Sequence, residues 1–148
     1  MSGAADRKQV REVLLKYAKA AAWEARCIRE NGETDFGYLR AHLRGYIFSK
    51  YMMPEGECRS DRIADLTEAS LARMMKVTPE LAKVLDTARS CAGATSATVK
   101  KALLLQAMER ELGVILPAPE AVAAVDVTAL AAVVMRALEH REPSAKAS

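Results

Sequence analysis

The stretch Gly93–Leu116, GATSATVKKALLLQAMERELGVIL, constrains the fold of this chain most tightly. Its start carries a serine whose hydroxyl can accept from the open backbone N–H groups of a first helical turn. Val99, Ala102, Leu103, Leu105, Met108 and Leu112 then recur at helical spacing, which predicts a helix over 97–112 with those residues inward. Gly113 can take the left-handed conformation that ends a helix. Pro117 blocks any easy continuation. A segment of this kind must bury one stripe against other helices, and the rest of the chain supplies them.

From about Lys8 to Glu30 the pattern predicts a long helix with Val10, Val13, Leu14, Tyr17, Ala20, Ala21, Cys27 and Ile28 on one broad face. Glu24 falls inside that face. Buried carboxylates are rare without a partner, so it is expected at the rim, reaching water or an arginine; a buried functional acid is the sharper alternative. Asn31-Gly32 ends the helix. A second helix, 36–52, follows the capping-type Thr34-Asp35, with Phe36, Leu39, Leu43, Tyr46 and Ile47 facing one way. Its other faces carry Tyr38, Arg40, His42, Arg44, Phe48, Lys50 and Tyr51, with no acid among them. Cations mixed with aromatics can grip phosphates and stack on bases, although a solvated face or a partner surface is the commoner meaning of so short a pattern.

Ser60 is expected to cap a third helix, 61–75, with Ile63, Leu66, Leu71 and Met74 inward. Thr78-Pro79-Glu80 combines a cap, a first-turn proline and an acid, and predicts a fourth helix carrying Leu81, Val84, Leu85, Ala88 and Cys91. After Pro117 comes a short helical piece, 120–124. Asp126 then caps a last helix, 127–140, with Leu130, Val133, Val134 and Ala137 inward. The polar tail, 143–148, is expected to be disordered.

The fold class is therefore all-α, a bundle of about six helices. The abundance of Ala, Leu, Val and Met over aromatics agrees with it. The loop around Pro54 divides an N-terminal helical pair, 1–56, from a C-terminal helical domain, 57–142. A net charge of +3 is too small to argue for nucleic acid. Cys27, Cys58 and Cys91 form no metal-ligand spacing, and reduced thiols are expected. No run of apolar residues approaches membrane-spanning length, so a cytoplasmic protein without membrane contact is expected. No nucleophile–base–orienter set is readable, which argues against an enzyme.

From Val99 to about Leu138 the chain resembles the second half of an acyl carrier protein. Glu109-Arg110-Glu111-Leu112-Gly113 looks like the end of that family's second helix, and Val114-Ile115-Leu116-Pro117 is similar to the loop that follows. Asp126-Val127 falls where the fourth helix should begin. Upstream, Met74 to Thr78 looks like the end of the first helix and its loop. Gly93-Ala94-Thr95-Ser96 looks like the small-residue approach to the serine that carries a 4′-phosphopantetheine arm. Counting back from Gly113 without a gap places Thr98 at that position, with Val99 for the usual leucine; Ser96 fits if two residues are inserted. The helix that is acidic in the family has a balance of +1 here.

The resemblance implies a C-terminal four-helix carrier domain. Ser96, or next Thr98, would bear 4′-phosphopantetheine, and Lys100 and Lys101 would flank the surface that docks a partner enzyme. The alternative, read from the residues themselves, is an arm-free helical adaptor that binds a protein partner through its N-terminal helices, with Arg40 and Arg44 on the contact face. The wide apolar face of that helical pair suits a homodimer interface as well as an intrachain cap. Phosphate or nucleic-acid binding through Arg40, Arg44 and Lys50 is a third and weaker reading.

Overall fold

Helix starts and stops set the element order. A computed structural model describes residues 3–77 and 96–141, with side chains for 7–74 and 96–141. The expected fourth helix with Cys91, the approach 93–95 and the tail lie outside the described residues. Those described form six α-helices: α1 (Gly3–Asn31), α2 (Phe36–Lys50), α3 (Ile63–Val77), α4 (Ser96–Leu112), α5 (Ala118–Ala123) and α6 (Val127–Glu139). The fold is all-α. Short 3-10 turns at Gly32–Thr34 and Glu55–Glu57 complete the connections.

Aspartates begin two of these helices. The Asp35 side chain accepts from the Tyr38 N–H at 3.1 Å, and that of Asp126 accepts from the Ala129 N–H at 2.7 Å. Each satisfies one donor that the helix itself cannot. Ser60 acts differently from the cap expected of it. Its hydroxyl accepts from the Arg62 N–H at 3.0 Å and donates to Asp65 at 2.6 Å, which holds the turn ahead of α3. That turn is also tied to the start of α6. Ile63 N–H donates to Val125 O and Val127 N–H donates to Asp61 O, each at 2.9 Å, so α3 and α6 begin side by side.

One residue organises the exit from α4. Gly113 sits at φ +66, where a Cβ would be strained. The N–H groups of Gly113 and Val114 both donate to the Glu109 carbonyl, at 3.0 and 3.2 Å. The Glu109 carboxylate then accepts from the Leu116 N–H at 3.0 Å. The open carbonyl end of α4 and the loop beyond it are thereby closed together.

A continuous core joins both halves of the chain. It runs from Ala21, Ala25 and Ile28 on α1, through Leu39, Leu43, Tyr46 and Ile47 on α2, to Met108 and Leu112 on α4 and Leu130, Val134 and Leu138 on α6. α2 is central, with α1 packed along one side and α6 along another. Phe48 and Tyr51, which the single-face pattern had placed outward, are buried as well, and the Tyr51 hydroxyl meets Thr67 of α3 at 2.9 Å. The inward face of α4 is also turned from the expected one. Leu104 and Ala107 are buried while Leu103 is exposed, because three consecutive leucines fit more than one helical face.

Candidate interaction surface

The acid-free face of α2 receives its acids from elsewhere in the chain. Arg40 and Arg44 both bond Asp61, Arg44 at 3.0 Å, and Arg40 Nε also donates to Thr128 Oγ1 at 2.7 Å. Lys50 Nζ donates to Glu111 at 2.9 Å, and the Tyr46 hydroxyl donates to the same carboxylate oxygen at 2.8 Å. Burial, with Glu111 as its acceptor, holds the Tyr46 hydroxyl well above its ordinary pKa. Burial pushes Glu111 upward, but its bonds to Lys50 and Tyr46 outweigh this and leave it below the ordinary carboxylate range. Arg40, Arg44 and Lys50 thus pin α2 to the segments around it, and the sequence had offered them as a partner or phosphate surface.

Glu24 also turns to α2. Its side chain is only 14% exposed, and Oε1 lies 2.6 Å from His42 Nδ1. Its other oxygen fills the notch at Gly45, where a Cβ would sit 1.9 Å away. The partner is thus a histidine rather than water or an arginine. The His42 ring rests between Tyr38, 4.2 Å away between centroids, and Trp23, at 5.5 Å. A carboxylate orients an imidazole here, but the ring's contacts are with Glu24, Tyr38 and Trp23, and among the described residues no hydroxyl or thiol is hydrogen-bonded to it. Sequence reasoning missed the pair; the available signal was Gly45, a helix-interior residue that costs about 1 kcal/mol relative to Ala unless something needs its space.

The four residues at the start of α4 have separate fates. Ser96 is the first residue of the helix and half-buried; Thr98 is exposed in the first turn. Lys100 points inward and is 8% exposed. Its Nζ lies 3.1 Å from Met74 Sδ and 4.9 Å from the centre of the Tyr51 ring. Burial pulls its pKa down to about 8. It therefore does not flank an exposed docking surface, which corrects its assigned place. Lys101 reaches the carbonyl oxygens of Val122 and Ala124, at 2.8 and 3.1 Å, at the C-terminal end of α5. A cation there satisfies open carbonyls and the negative end of the helix dipole.

What projects is the N-terminal half of α1. α1 and α2 run antiparallel across the short Gly32–Thr34 turn, with Glu24 opposite Gly45. α2 ends five residues beyond Gly45, at Lys50, so it ceases to cover α1 at about Lys19. The apolar stripe continues past that point. Val13 and Leu14 are each 39% exposed, with Val10 and Tyr17 half-buried beside them. Leu15 and Trp23, 53% and 51% exposed, stand outside the stripe. Between Arg7 and Ala20 lie five cations, Arg7, Lys8, Arg11, Lys16 and Lys19, and one acid, Glu12. Among the described residues none of these five has a carboxylate within ion-pair distance, in contrast to the cations of α2.

No protein-family model matches the chain, and searches of curated proteins and of solved structures return no match. Among the described residues, no group of three or more His, Cys, Asp or Glu side chains is placed to hold a metal ion. None of the described helices is long and apolar enough to cross a membrane. The architecture that stands is an all-α bundle whose first helix, of 29 residues, outruns the cover of α2.

Proposed function

We propose that this protein is a helical adaptor that docks a partner protein on the projecting half of α1. The observation that carries this reading is the apolar stripe that outruns the core: Val10, Val13, Leu14 and Tyr17 continue the face that α2 covers further along. Full burial of a Val or Leu side chain is worth about 1.5–3 kcal/mol, so leaving several half-exposed withholds stability that a bound partner would recover. The intrachain bonds of Arg40, Arg44, Lys50 and Lys101 support the same surface, since among the described residues the cations from Arg7 to Lys19 have no carboxylate partner. The test is a photo-crosslinking side chain at Val13, with Glu139 on the far helix as control, in cells that make the protein. A defined protein adduct at Val13 and none at Glu139 is expected. Adducts at neither position, or with a second copy alone, would reject the reading.

A carrier function is the second reading. It is supported by the order of α4, the Glu109-closed loop, the short α5 and the Asp126-capped α6, which follows what the resemblance implies. Ser96 and Thr98 stand at the positive end of a seventeen-residue helix with no acid in its first turn, a setting that favours a phosphodiester. Intact mass after co-expression with a broad-specificity phosphopantetheinyl transferase decides it. A single added arm lost in Ser96→Ala or Thr98→Ala supports a carrier; an unchanged mass in a folded sample counts against one.

A further inference from the structure

We infer that the occupant of the projecting α1 face is an acidic amphipathic helix of another protein. This rests on the docking reading above and adds the chemistry of the partner. Three observations carry it. First, the shape of the place. The stripe of Val10, Val13, Leu14 and Tyr17 is the same face that packs against α2 nearer the C-terminus, where Ala21, Ala25 and Ile28 are buried. It continues past the level of Lys50, the last residue of α2. A second helix laid along such a stripe buries it, as a helix seated in a groove does.

Second, the charge beside the stripe. At about 3.6 residues per turn, Arg7 and Arg11 border one edge and Lys16 the other, with Lys8 and Lys19 behind. All five are exposed, and among the described residues none has a carboxylate partner. Acids at the edges of an incoming helix would meet Arg7, Arg11 and Lys16 directly. Third, the same feature disfavours a second copy. Over its first eighteen residues α1 holds five cations and two acids, Asp6 and Glu12, so two copies laid together bring a net excess of like charge.

Fluorescence anisotropy of labelled peptides on the full chain tests this. One probe is a designed peptide of about eighteen residues with a leucine stripe bordered by glutamates, long enough to hold helical structure when bound. The other has the same stripe bordered by lysines. The glutamate peptide is expected to bind at least ~10-fold more tightly, and to weaken by a similar factor near 1 M salt, where the screening length is about 3 Å. Leu14→Glu should abolish binding. Arg11→Glu with Lys16→Glu changes only exposed residues and should reverse the preference toward the lysine peptide. Equal binding of the two peptides, binding of neither, or no reversal in the charge-swapped variant would overturn the inference. So would anionic vesicles of phosphatidylglycerol and phosphatidylcholine capturing the chain through Leu14 while the glutamate peptide does not bind. A Val13 adduct in cells combined with failure of the glutamate peptide would leave the docking surface standing and remove the acidic helix.

Discussion

Substituting alanine for Gly45 should destabilise this protein, although alanine is the better helix former. An added Cβ would lie 1.9 Å from Glu24 Oε2 and 2.7 Å from its carboxyl carbon. The carboxylate must retreat by roughly 1 Å even to reach the 3.0 Å that real contacts rarely breach, and that movement opens its 2.6 Å contact with His42. A hydrogen bond to a charged group contributes about 1.5–3 kcal/mol, and Ala over Gly in a helix interior returns about 1 kcal/mol. The net cost is then about 0.5–2 kcal/mol. The sign should invert once Glu24 is removed. All three nearest atoms belong to Glu24, so in a Glu24→Ala background Gly45→Ala should stabilise by about 0.5–1 kcal/mol. Urea unfolding of the four proteins, followed by circular dichroism, closes the cycle with a coupling of ~2 kcal/mol. Equal costs in both backgrounds, or a stabilised single variant, would show that Glu24 does not occupy the notch.

Three further predictions follow from the same structure. Lys100 titrates near 8 when folded and near 10.5 when unfolded, so the unfolded chain binds more protons between those values and stability should rise with pH across that window. Lys100→Met should remove that rise and stabilise at neutral pH, by at most about 3 kcal/mol; thermal melts across the pH range will show it. Glu111 has a depressed native pKa, so the stability it contributes is present above the ordinary value of 4.5 and drains away as pH falls through its native value. Glu111→Gln should flatten that part of the acid limb, measured as the urea midpoint against pH. Asp126→Ala removes the bond to the Ala129 N–H and should cost about 1 kcal/mol in the same unfolding assay.

Local rules were legible in the sequence. Asp35 and Asp126 cap the helices they precede, and Gly113 ends α4 at positive φ, because each effect spans only a few residues. The stripe of α2 through Leu39, Leu43, Tyr46 and Ile47 was legible for the same reason. What the pattern missed needs distant chain. Tyr51 reads as outward until Thr67 of α3 and Lys100 of α4 are brought against it, and Phe48 is buried as well. Arg40 and Arg44 read as a cationic face until Asp61 is brought to them, and Lys50 until Glu111 is. Lys100 shows the limit most clearly. It lies one turn before Leu104, which the spacing had not turned inward, and its charge argues for solvent; among the described residues Met74 and the Tyr51 ring receive it. The projecting surface was half legible: the stripe through Val13 and Leu14 can be read from spacing, but not the point at which α2 ceases to cover it.

The most direct test of the α1 surface is amide hydrogen exchange of the full chain, alone and with the glutamate peptide. Without peptide, the amides of residues 7–20 should exchange faster than those of 21–31, which the core covers. With peptide, slowing should concentrate in 7–20 and leave α6 unchanged. Slowing located elsewhere, or an unchanged pattern along residues 7–20 at saturating peptide, would contradict the account.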